Sequence, residues 1–106
     1  MESYRQGDVL IVRTNGIPET AKILPRDQGR VVLAYGEVTG HAHAILEPEC
    51  ELLAVPDLED RFLRIMNASG VELVHEEHAT VSLPPGDYIV RTQREYTPEA
   101  IVRVAD

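Results

Sequence analysis

Tryptophan is absent from this 106-residue sequence, and cysteine, phenylalanine and lysine occur once each. A single cysteine, Cys50, excludes an internal disulfide and the paired thiolates of a zinc ribbon, and it fits a reducing compartment. No apolar run approaches the ~18 residues that a membrane span requires. Basic residues are outnumbered, ten against eighteen acids, for a formal net charge of −8. General binding to nucleic acid or to an anionic membrane surface needs the opposite balance. The stretch Met1–Asp8 has neither the basic nor the apolar part of a secretory leader. Phosphate-binding loops, dinucleotide glycine patterns and G-x-S-x-G elbows are missing, as are linkers, low-complexity tracts and repeats. The expectation is a soluble, cytoplasmic protein.

What is present is a moderately apolar chain, 43% of its residues, of a length that suits one domain spanning 1–106. Charge is unevenly spread: residues 47–77 hold nine acids and two bases, Arg61 and Arg64. Turn signals recur at Asn15-Gly16, Pro25 to Gly29, Gly36, Pro48, Pro56-Asp57, Ser69-Gly70 and Pro84-Pro85-Gly86-Asp87. Short runs rich in Val, Ile and Leu lie between them, which is the pattern of an all-β barrel or sandwich. Strands are expected at about 8–14, 21–24, 30–35, 41–47, 50–55, 62–67, 71–75, 78–83 and 88–94. Helix signals are confined to one short C-terminal turn at Thr97-Pro98-Glu99, before the β-branched run Ile101 to Val104.

All four histidines fall in two clusters, Gly40-His41-Ala42-His43 and His75-Glu76-Glu77-His78. On a strand, side chains alternate, so His41, His43 and Ile45 share a face while Ala42 and Ala44 take the other. His75 and His78 are three apart and would diverge on a regular strand; a two-residue turn at Glu76-Glu77, or a β-bulge, would bring them together. Four imidazoles so grouped are hard to assign to packing, and imidazole is the commonest metal ligand among side chains. The residues therefore predict one transition-metal site held by His41, His43, His75 and His78. Zinc is the first choice, with iron, manganese or nickel also compatible, whereas calcium and magnesium prefer oxygen. Glu47, four residues beyond His43, is the carboxylate ligand that strand parity favours, and Glu77 is the expected general base. Cys50 is a weaker ligand candidate.

Two resemblances follow from these motifs. The run Gly36-Glu-Val-Thr-Gly-His41-Ala-His43-Ala-Ile-Leu-Glu47 resembles the first metal motif of the cupins, and Pro84-Pro85-Gly86 is similar to the turn of their second motif. The match covers about a fifth of the chain and implies a cupin-like architecture. The gap after Gly36 is one residue short, Ala54 stands where that motif ends in glycine, and Ile89 takes the place of the second motif's histidine, so the third ligand would be His75 or His78. Over nearly its whole length the chain also looks like a family of short, uncharacterised bacterial proteins. The shared features are Tyr4 to Asp8, the G-E-x-T-G-H-x-H and H-E-E-H motifs, Leu83 to Gly86 and Gln93 to Pro98. That resemblance carries no activity to transfer.

Arg91 and Arg94, with Gln93 and Tyr96, form a third group, read either as an exposed strand end whose arginines pair with nearby acids or as an anion clamp, since guanidinium pairs bidentately with phosphate or carboxylate. The combined expectation is a metal-dependent hydrolase acting on a small anionic substrate or a nucleic-acid end, with Glu77 and Arg94 as catalytic residues. Oxygen chemistry at a ferrous site uses the same ligands. Two other readings stand beside it: metal-free RNA cleavage with histidines as acid and base, and a non-enzymatic binding or assembly module with a structural metal. A homo-oligomer is compatible with all three.

Overall fold

Val9 and Ile11 alternate with Leu10 and Val12, and the same two-residue period recurs in Val31/Leu33, Val71/Leu73 and Tyr88/Val90. Each of these pairs is buried in the computed structural model, which describes residues 2–36 and 38–92. Ten strands result: β1 Ser3–Gln6, β2 Val9–Arg13, β3 Lys22–Ile23, β4 Val31–Tyr35, β5 Ala42–Ile45, β6 Cys50–Ala54, β7 Arg61–Ile65, β8 Val71–Val74, β9 Val81–Leu83 and β10 Gly86–Thr92. They form two antiparallel sheets, six strands in the order β1-β2-β10-β7-β6-β3 and four in the order β4-β5-β8-β9. No helix occurs among the described residues, so none there is long and apolar enough to cross a membrane. The all-β expectation holds, in its sandwich form: neither sheet closes into a barrel.

The inward side chains of both sheets merge into one core that includes Ile11, Leu33, Ile45, Leu63, Leu73, Leu83 and Tyr88. Burying each such side chain contributes about 1.5–3 kcal/mol before entropy is counted. Tyr88 is fully buried and carries a hydroxyl that needs a partner; it donates to the Pro84 carbonyl at 2.6 Å and accepts from Arg13 at 3.1 Å.

Nine expected strands are present with shifted ends, and a tenth, β1, was not expected. The register of β4 on β5 slips between Val32 and Ala34, leaving Leu33 without a partner there. This bulge is where the half-buried Arg61 guanidinium reaches across to donate to the Leu33 carbonyl, giving the bulged residue a partner. The expected strand at 78–83 begins only at Val81, because 75–80 is a connection between β8 and β9. The C-terminal turn at Thr97-Pro98-Glu99 lies outside the described residues.

Candidate metal centre

His43 sits on β5 two residues before Ile45, so it faces inward at the mouth of the core and is only 3% exposed. A buried imidazole needs a partner, and Gln6, the last residue of β1, supplies it: Gln6 Oε1 lies 2.8 Å from His43 Nδ1. The amide cannot be reversed, because Gln6 Nε2 donates to the carbonyls of Leu73 and Ala79, each at 2.9 Å. Oε1 is therefore an acceptor, Nδ1 carries the hydrogen, and Nε2 keeps its lone pair. Asp8 Oδ1 lies 3.7 Å from that nitrogen, its side chain 55% exposed. Burial, reinforced by the neighbouring His75, holds His43 below the usual histidine pKa and so in its neutral form. Two acceptors face one another there, an arrangement that a cation between them would relieve.

His75 and His78 reach the same place from the 75–80 connection. The chain bends over Glu76–His78 in a wider arc than a two-residue turn. The His75 ring centroid lies 4.3 Å from that of His43 and 4.6 Å from that of His78. Two glycines make room. Gly7 opens the two-residue turn between β1 and β2 with φ +60, and a Cβ there would stand 2.7 Å from His78 Nε2. A Cβ on Gly36 would stand 3.0 Å from the His41 Cβ and 3.3 Å from His75 Nε2. His75 Nδ1 accepts the Glu77 amide at 3.0 Å, so ligation through either ring nitrogen requires that amide to be released.

The four histidines thus meet in one cleft of about 470 Å³, lined also by Gly7, Asp8, Tyr35, Gly36, Val38 and Glu77. Their ligand atoms divide into two trios, His43–His75–His78 and His41–His75–Glu76, each with its atoms within 4.8 Å of one another. His41 does not join the first trio. Its Nδ1 instead faces Glu77 Oε2 at 3.5 Å, and Glu77 is 62% exposed at the cleft mouth. Glu76 Oε1 accepts the Ala42 amide at 3.0 Å, and this bond above all holds the Glu76 carboxyl below its usual pKa.

Other expected residues lie elsewhere. β5 ends at Ile45, parity is lost, and Glu47 turns away to accept the Glu72 amide at 3.0 Å; it is not a ligand of either trio. Cys50 is buried against the core, and burial pushes its thiol pKa up. Arg91 lines a separate cleft of about 590 Å³ with Arg5, Leu10, Glu59, Asp60, Arg61 and Thr92, and pairs with Asp60 at 3.0 Å. Arg94, Gln93 and Tyr96 lie outside the described residues. Sequence reasoning missed Gln6, Gly7 and Asp8, and treated Glu76 only as a turn residue. The Gly-Asp pair was the available signal, because it marks a two-residue hairpin turn.

Comparison with known proteins adds a family and no activity. The pattern of a family described as Domain of unknown function (DUF8820) matches residues 5–93, which span every residue lining the histidine cleft. No curated protein and no solved structure matches the chain.

Proposed function

The chain belongs to the DUF8820 family, and we propose that it is a histidine-ligated transition-metal protein acting as a metal-dependent hydrolase. The observation that carries this reading is His43 Nε2, held neutral and aimed by Gln6 into a cleft where His75 and His78 offer two more imidazoles. The donor set fits the group. Three imidazoles suit zinc, and also iron, manganese or nickel. Nitrogens bound to zinc at about 2.0–2.1 Å lie about 3.4 Å apart, which side-chain rotation can reach from this trio. Three protein ligands leave a position for water or substrate. The ion would supply Lewis acidity, acidifying water and polarising a carbonyl or phosphoryl oxygen.

The chain's own groups handle the proton. Glu77 faces both solvent and His41, so the pair takes a proton from water in the cleft and returns it to the leaving group. Asp8 faces His43 Nε2 from the opposite wall and is the candidate carboxylate partner of the site. The substrate we propose is small and anionic, or a nucleic-acid end. The described lining of the cleft holds no lysine or arginine, so the bound ion would carry most of the attraction, with Arg94 as the further contact expected from the sequence. Cys50, a free and buried thiol, suits the reducing cytoplasm that we propose as its location.

The test uses tag-free protein loaded with zinc and assayed on bis(p-nitrophenyl) phosphate and p-nitrophenyl acetate. Glu77→Gln should retain metal and lose turnover by about 10²–10⁴-fold. His43→Ala should lose the tightly held metal and turnover together while staying folded. Turnover that survives chelation in the parent protein would favour metal-free acid–base cleavage. Unfolding of His43→Ala with an indifferent Glu77→Gln would favour a structural metal.

A further inference from the structure

We propose that His41, His75 and Glu76 form a second, outer cation position that shares His75 with the inner trio, so that one ion passes inward as the His75 ring turns. This rests on the metal reading above and specifies how that site is loaded. The outer trio's ligand atoms lie as close together as those of the inner one, within 4.8 Å. Its carboxylate is already fixed in direction by the Ala42 amide, 3.0 Å from Glu76 Oε1. Glu76 and His78 are exposed and His41 and His75 partly so, and the gradient between the two positions comes from His43, 3% exposed at the deep end. A carboxylate at the rim draws a hydrated divalent ion more strongly than neutral imidazoles do.

The sharing has a chemical consequence. A neutral imidazole has one lone pair, since its other nitrogen carries the proton, so His75 serves one ion at a time. Occupancy is therefore one ion per chain, in either of two positions. His75 lines the histidine cleft and also a groove that it shares with Arg30, Ala42, Ala44 and Glu76, so it borders both positions. Gly36 leaves the space its Nε2 needs for the movement. Release of the Glu77 amide from His75 Nδ1 is the event that frees the ring.

Cobalt(II) titration of the tag-free, chelator-treated protein, followed by visible spectra and native mass spectrometry, tests this. The parent protein should bind one equivalent. Glu76→Gln should reach the same endpoint and affinity but load at least about 10-fold more slowly in stopped flow. His43→Ala should still bind one equivalent, about 100-fold or more weakly, with a spectrum altered by its carboxylate ligand. Loading of Glu76→Gln at the parent rate would overturn the outer position, as would a folded His43→Ala that binds no cobalt. If His43→Ala fails to fold, the Glu76→Gln rate decides. A parent protein that binds no cobalt would instead overturn the metal reading itself.

Discussion

Two clefts of similar size, about 470 Å³ around the histidines and about 590 Å³ around the arginines, differ in whether their polar groups already have partners. In the arginine cleft Arg91 is paired with Asp60, Arg61 donates to Leu33 and Thr92, and Arg5 is engaged as well. In the histidine cleft His43 Nε2 lies 3.7 Å from the Asp8 carboxylate, and the His78 ring makes no hydrogen bond among the described residues. In the larger cleft the guanidiniums already have partners; in the smaller, a neutral imidazole nitrogen and a carboxylate lie near one another with no donor between them among the described residues. Volume is thus a poorer guide to a site than the balance of donors and acceptors on its walls.

The largest expected effect of that difference is on thermal stability. A ligand at 100 times its Kd adds about 2.7 kcal/mol, which for a domain of this size raises Tm by roughly 10–20 °C. Zinc should do this to the parent protein in differential scanning calorimetry, and His43→Ala should abolish most of the shift. Next in size is Gln6→Leu. It leaves the Leu73 and Ala79 carbonyls without their donor and frees the His43 tautomer. Metal affinity should fall about 10–100-fold. Apo stability in urea should fall by about 1–3 kcal/mol.

Gly7→Ala sharpens the comparison from the side of the backbone. The substitution forces a side chain onto φ +60 and presses on His78, costing about 1–2 kcal/mol and loosening metal binding measurably in a competition titration. A pH series in the presence of chelator isolates His43. Its folded pKa is depressed, so below the free-histidine value of about 6.5 the unfolded chain binds more protons and apo stability falls as pH drops. Urea midpoints between pH 7.5 and 5 should show that decline, and it should be shallower in His43→Ala. The smallest effect belongs to the other cleft. Arg91→Ala removes an exposed ion pair and should change stability by no more than about 1 kcal/mol, with metal binding untouched.

The strands were legible because alternation survives in Val9/Ile11, Val31/Leu33 and Val71/Leu73, all of which turn inward. β1 was not, because Ser3–Gln6 buries a single polar residue, Gln6, and shows no apolar period. The meeting of the two histidine clusters was legible from their grouping, and His43 and Ile45 do share the inward face. Glu47 misled because parity holds only while a strand lasts; β5 stops at Ile45, and Leu46 is 60% exposed. The role of Gln6 was out of reach for another reason. Its three hydrogen bonds go to His43, Leu73 and Ala79, residues 37 to 73 positions away, which only the packing of the two sheets brings within range.

The central claim is that the histidine cleft holds a transition-metal ion. X-ray absorption at the metal edge, with elemental analysis of the tag-free protein after incubation with zinc, iron, manganese and nickel salts, tests it most directly. The account predicts one ion per chain with about three nitrogen donors, at about 2.0–2.1 Å if the ion is zinc. A protein that takes up none of the four metals, or holds one through oxygen donors alone, would contradict it.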